Sequence, residues 1–218
     1  MADLPEFPMY LPEMFAETRP EELHRIIRDN PLGMLVTHAS SGLEANHLPF
    51  VLEADRGSSG MLIAHVARAN PVWQEVRSGD AVLVVFRGSH GYISPNWYPS
   101  KHEHHRQVPT WNYEIVHAHG RISILDDEKF VRGMVAKLTR QREAGEPVPW
   151  KMGDAPADYI ADQLRHIVGI EIEIERIEGK RKLSQNRDER DFDGAVAELE
   201  ARDQPGLANA MKHARKNA

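Results

Sequence analysis

The chain contains no cysteine. That absence removes disulfides, thiolate nucleophiles, iron–sulfur clusters and the common thiolate zinc sites, so any redox chemistry would need a borrowed cofactor. Long apolar runs are also missing. Nothing approaches the roughly 20 residues a helix needs to cross a bilayer, and no membrane segment is expected. The opening MADLPEFPMYLPEMF lacks the basic start and apolar stretch of a secretory signal, which makes the cytoplasm the expected location. There is no basic excess either: 27 Lys and Arg face 33 Asp and Glu, and the net charge of −6 offers nucleic acid no general surface. Walker loops, dinucleotide fingerprints and a G-x-S-x-G context for Ser94 or Ser184 are absent. Aromatic residues make up only 7% of the chain, so a local concentration of them is informative.

Such a concentration lies between Gly91 and Tyr113, GYISPNWYPSKHEHHRQVPTWNY. Tyr92, Trp97, Tyr98, Trp111 and Tyr113 offer rigid faces with polar tips, and Pro95, Pro99 and Pro109 restrict the backbone that carries them. With neither a helical nor a strand period, the stretch reads as an irregular surface shaped for a flat ligand. Tyr92, Trp97 and Tyr98 are candidates for its wall or lid.

Elsewhere the periodicity is clear. A helix is predicted near 19–29, with Thr18 as cap, Glu21 three positions on, and Leu23, Ile26 and Ile27 on one face. Short β-rich runs follow from Leu32 to Leu125, interrupted by a short helix that Asn70 would cap. A helix from Asp126 or Asp127, a Pro/Gly linker over 143–156 and a helix over 157–166 come next. Val168, Ile170, Ile172 and Ile174 then alternate with Gly169, Glu171, Glu173 and Glu175, the period of a half-buried strand. Two charged helices, roughly 188–202 and 205–216, read as a peripheral appendage to a main domain over 1–187. The fold class is mainly β with flanking helices, an antiparallel barrel or sandwich.

Three polar clusters can carry binding chemistry. HVARANP, 65–71, joins a strand to a helix start, where small residues, Arg68 and free N–H groups suit a phosphate or an ordinary capped turn. Asn46-His47-Leu48-Pro49-Phe50 places proline inside a strand-like run, which implies a locally opened sheet or a protected edge. Lys180 to Arg187, KRKLSQNR, mixes cations with Ser, Gln and Asn, suited to a phosphate or a heterocycle edge, or simply a basic turn. His102, His104 and His105, with Glu103, offer metal ligands, although adjacent residues on a loop rarely converge.

Together MYLPEMF, HLPF at 47–50, HVARANPVW at 65–73, YISPNWYPSK at 92–101, VPTWNY at 108–113 and KLSQNR at 182–187 resemble, in order, the PaiB family of FMN-binding negative transcriptional regulators. The resemblance implies a split β-barrel of the flavin-reductase and pyridoxamine-phosphate-oxidase type, a homodimer with FMN at the subunit interface. It places His65, Ala67, Arg68 and Asn70 near the flavin phosphate, His47 and Pro49 on an adjacent strand, and Trp111, Ser184, Gln185 and Asn186 near the isoalloxazine, from the partner chain. It also implies regulation of transcription. No helix-turn-helix is visible, so a DNA contact is expected at the basic tail, Lys212, Arg215 and Lys216. The alternatives are a flavin-dependent oxidoreductase acting on a small molecule, with the aromatic stretch as lid, and a haem- or metal-binding protein using the His loop.

Overall fold

The structure is a computed structural model that describes residues 9–40 and 42–216; the N-terminal reading above rests partly on residues 1–8, outside that range. In chain order the elements are β1 (Ala16–Glu17), α1 (Pro20–Asp29), β2 (Leu32–Ala39), β3 (Gly42–Pro49), β4 (Val51–Glu53), β5 (Met61–Ala67), α2 (Val72–Glu75) and β6 (Ala81–Ile93). They continue with α3 (Pro99–His104), β7 (Thr110–Leu125), α4 (Glu128–Glu143), α5 (Ala157–Arg165), β8 (Ile167–Lys182), α6 (Glu189–Ala201) and α7 (Pro205–Lys216). The strands form one eight-stranded, mainly antiparallel sheet ordered β3-β2-β6-β7-β8-β5-β4, with β1 on β8. Its two edges, β3 and β4, are consecutive in sequence and parted only by Phe50. The edges are thus one chain segment split at Pro49, where proline cannot donate to a ladder, and the sheet stays open as in a split barrel.

By its contacts the chain divides into two compact units. One comprises Met1–Asn30, Phe86–His117 and Glu178–Ala218, the other Pro31–Val85 and Ala118–Ile177.

In the second unit, α4 and α5 cover β4 and β5 through Val51, Ile63, Val131, Met134, Ile160 and Leu164. Burying each such side chain stabilises the fold by about 1.5–3 kcal/mol. Helix α4 starts as its sequence predicts, with the Asp127 carboxylate accepting the Phe130 N–H at 2.8 Å. Strand β7 comes so close to β8 that a Cβ at Gly120 would collide with the Glu173 carbonyl, and only glycine fits there.

In the first unit, Ile93, Tyr98 and Leu183 pack against Phe192, Val196 and Leu199 of α6 and Leu207 and Met211 of α7. The 188–216 helices, expected as a peripheral appendage, supply most of this core, because their apolar residues share one side, which also buries Asp191. Helix α1 also starts differently from its predicted capping box. Arg19 occupies the cap position, and Glu17 rather than Thr18 accepts its N–H, at 3.0 Å.

Candidate functional site

The HVARANP turn, in the second unit, begins where β5 ends at Ala67. Pro71 rather than the predicted Asn70 takes the cap position of α2. Asn70 stands one residue earlier, its Oδ1 accepting the Val72 N–H at 3.0 Å, and its Nδ2 donates to Asn46 Oδ1 at 2.7 Å. That bond brings β3 to the turn, so His47 and Pro49 lie on a strand tied to it, His47 exposed and Pro49 half-buried. Asn46 Nδ2 is buried without a hydrogen-bond partner. Asn46 was not among the candidates, although it sits in the same polar cluster as His47.

Arg68 differs from its expected role. Its guanidinium grips Asp126 in a bidentate pair, Nη1 to Oδ2 at 2.8 Å and Nη2 to Oδ1 at 2.5 Å, and Nε donates to the Arg165 carbonyl at 2.7 Å. The group lies over the Trp73 ring, 5.6 Å from its centroid, while Trp73 Nε1 donates to the Arg68 carbonyl. The Arg68 hydrogen bonds hold the Asp126 carboxyl below its ordinary range. The turn is also less open than expected, since the Arg68 N–H donates to His166 O at 2.7 Å and the Asn70 N–H to Ala67 O. Ala67 is exposed. His65 points elsewhere: residues 61, 63 and 65 share the β5 face that α4 and α5 cover, and burial pushes the imidazole pKa down.

The aromatic stretch belongs to the first unit and is more ordered than its sequence suggests. Tyr92 is the last residue but one of β6, Trp111 the second of β7, and α3 stands between them. Tyr92 packs edge-to-face on Trp97 and on Trp111, with centroids at 6.5 and 6.3 Å. Tyr92 and Trp111 are 44% and 56% exposed, so this trio presents an open aromatic surface. Tyr98, expected in a wall or lid, is instead fully buried in the helical core. The segment is also locked from below. The buried Asp191 carboxylate accepts from the Ser100 N–H at 3.0 Å, Ser100 Oγ at 2.5 Å and Gln107 Nε2 at 3.1 Å, while Arg187 Nη1 donates to Gln107 Oε1 at 2.6 Å. A buried charged acceptor thus ties the segment to α6.

The SQN run follows β8 in the same unit. Ser184 takes a left-handed backbone with φ 63°, and its buried hydroxyl exchanges hydrogen bonds with the Asn112 amide at 2.9 and 3.2 Å. Gln185 folds back on its own turn, accepting from the Leu183 N–H and donating to the Arg181 carbonyl. Only Asn186 of the three is exposed.

The His loop is helix α3 and its left-handed cap, His105. The His102 ring pairs with Asn96 O at 3.2 Å, His104 Nδ1 accepts from the Arg106 N–H, and Glu103 is taken by Arg190. In the basic tail, Lys212 pairs with Glu200 at 2.5 Å and Arg215 stacks on Phe192 at 4.5 Å, which leaves the expected cationic cluster largely engaged.

Sequence reasoning missed a buried ionic group in the first unit. Arg181, 3% exposed, binds Glu114 Oε1 at 2.9 Å and Glu17 Oε2 at 3.3 Å, and Arg19 adds a 2.6 Å contact to Glu17. Burial pushes the Glu17 carboxyl up, but the bonds and charge of Arg19, helped by Arg181, outweigh it and hold the pKa at about 2.

A family model described as "Putative FMN-binding domain" matches residues 9–176. Protease synthase and sporulation protein PAI 2 of Bacillus subtilis is 32% identical over 198 residues, which cover 90% of this chain and 92% of that one. An uncharacterised protein of Emericella nidulans is 36% identical over 227 residues, 88% of this chain and 90% of its own. Among solved structures, the FAD and heme binding protein from Mycobacterium smegmatis aligns with TM-score 0.57 at 14% identity, over 77% of this chain and 73% of that one. The flavocytochrome Anf3 from Azotobacter vinelandii gives TM-score 0.57 at 14% identity, over 82% and 75%. At such identity the structures establish a shared fold and nothing finer.

Proposed function

The chain belongs to the PaiB family of FMN-binding domains, and from that premise we propose that it binds FMN as a homodimer and serves negative regulation of transcription in the cytoplasm. The observation that carries the flavin reading is the family match over 9–176, which spans both β3 and the HVARANP turn. The turn also fits the ligand's chemistry in one respect. A phosphate only accepts hydrogen bonds, and Asn46 Nδ2 is a donor left unmet beside Asn70. Arg68 does not fit as a phosphate cation while Asp126 neutralises it.

Under this reading Asn46, Asn70 and His47 hold the phosphate end, and Arg68 positions the turn. Trp111 and Asn186, the exposed members of the second group, face the ring system from the partner subunit, with Tyr92 and Trp97 as an aromatic wall. When bound, the flavin supplies electron and hydride transfer chemistry. The regulatory reading draws on the relationship to the Bacillus protein, whose name ties it to protease synthesis and sporulation. With Lys212 and Arg215 engaged, a DNA contact through the tail would rest on Lys216 and on the second copy that a dimer supplies.

The test is a flavin fluorescence titration comparing FMN with riboflavin. FMN should bind at least tenfold more tightly, Asn46→Leu should remove most of that difference, and Arg68→Met should leave it within about threefold. Absence of saturable FMN binding overturns the reading. Light scattering during the same titration reports the dimer, and gel retardation with upstream DNA of the encoding gene reports the regulatory claim.

A further inference from the structure

His65 belongs to a motif proposed for phosphate, yet its side chain enters a different environment. It lines a cavity of about 330 Å³ in the second unit, under α5 and the 144–156 linker, together with Trp150, Tyr159, Ile160, Gln163 and Leu164. The volume falls in the range of small-molecule pockets, roughly 300–1,000 Å³. None of the lining residues carries a formal charge at neutral pH apart from a protonated His65, and burial disfavours that form. Trp150 and Tyr159 are 42% and 55% exposed, two aromatic faces at the mouth. His65 Nδ1 is buried with no hydrogen-bond partner.

His65 pairs across the sheet with Gly169, where a Cβ would come within 2.7 Å of the Phe130 ring. Glycine thus lets Phe130 drop onto the sheet beside His65. An unmet buried polar atom on a residue that lines a cavity costs stability unless something bonds to it, and such atoms mark either ordered water or a ligand's polar group.

We propose that this cavity is a binding site for a planar aromatic molecule carrying one hydroxyl, whose O–H group bonds the His65 imidazole while its rings lie among Trp150, Tyr159 and Ile160. The proposal stands on the cavity and does not depend on the flavin reading. The geometry matches a phenolic ligand better than an anion, because no cation lines the walls, and better than a fully apolar one, which would leave Nδ1 unmet.

The probe is 2-naphthol, titrated calorimetrically into the full chain, with naphthalene as the partner lacking the hydroxyl. Saturable binding of one naphthol per chain is expected, roughly tenfold tighter than naphthalene, and His65→Leu should erase that preference. Val135→Phe, which fills the cavity from a half-buried position, should abolish binding while thermal melting confirms that the variant folds. Equal affinity for the two probes in the unaltered protein overturns the proposal, as does unchanged binding by Val135→Phe or no binding up to the probe's solubility. The same titration with FMN present, followed by flavin fluorescence, separates the two sites. Naphthol should bind without displacing FMN, and mutual displacement would assign the cavity to the flavin and overturn the proposal.

Discussion

The two units of this protein keep different interiors. The buried charged side chains Glu17, Glu114, Lys180, Arg181 and Asp191 all belong to the first, among the described residues. The core beneath α4 and α5 of the second is aliphatic and aromatic. The difference follows from how each is assembled. The second unit's elements find their neighbours through regular ladders such as β5 on β8, in register from Met61↔Glu173 to Ala67↔Ile167. The first unit joins three distant chain segments, and directional charge contacts tie them at defined points: Arg181 joins the end of β8 to β7 and β1, and Asp191 joins α6 to the aromatic segment. Hydrophobic burial is non-directional, so a polar group inside a core can specify which segments meet even where it adds little net stability.

The largest effect should come from removing the cation at that junction. Arg181→Met keeps much of the volume but leaves the buried Glu17 and Glu114 with Arg19 and Arg25 as their remaining cations, and breaking a buried pair from one side costs about 3–5 kcal/mol. Urea unfolding should show a large fall in midpoint. A change below about 1 kcal/mol would mean that the charges are dispensable and that apolar packing alone assembles the first unit.

Acid should act on the same group. The Glu17 carboxyl has its folded pKa depressed from 4.5 to about 2, so its stabilising contribution is full above pH 4.5 and is lost as pH falls through about 2. At about 1.4 kcal/mol per pKa unit the contribution is at most about 3 kcal/mol. Unfolding midpoints measured from pH 5 to pH 2 should decline, and Glu17→Gln should flatten that decline while lowering stability at pH 7.

The second unit should instead be sensitive to volume. Gly120→Ala drives a methyl group into the Glu173 carbonyl, and backbone cannot move aside as a flexible side chain can. A cost of about 1–3 kcal/mol is expected, with little dependence on pH. A pH-dependent loss would show that strain at β7 and β8 reaches the ionic group of the first unit.

This contrast also marks what could be read in the sequence. Local signals held well: the alternation from Val168 to Ile174, the Asp127 cap, and Pro49 at the split between β3 and β4. Glu114 was legible in principle, because it shares the inward phase of Val116, Ala118 and Ile122 along β7. A carboxylate in that phase signals a buried partner. Arg181 was not legible. The inward phase of β8 is even-numbered up to Ile174 and then changes, so that Gly179, Lys180 and Arg181 are buried in succession beside β1. No periodicity encodes that shift. In the candidate site the strand-to-helix turn followed from local spacing. The capture of Arg68 by Asp126, 58 residues away, did not, because an exposed guanidinium pairs with whatever tertiary structure brings near. The burial of Tyr98 was hidden for the same reason.

Tyr98 provides the most discriminating of the smaller tests. Its ring is fully buried among the helices of the first unit, with the Arg187 guanidinium 4.9 Å from its centroid, yet its hydroxyl has no hydrogen-bond partner. Removing a hydroxyl that bonds to nothing relieves a desolvation cost and leaves the ring packing and the cation contact in place. Tyr98→Phe should therefore leave the unfolding midpoint unchanged or raise it, within about 1 kcal/mol. Loss of more than that would show that the hydroxyl holds an ordered water. The aromatic segment would then be anchored by a wet polar contact as well as by Asp191, and the first unit's reliance on directional contacts would extend into its most apolar layer.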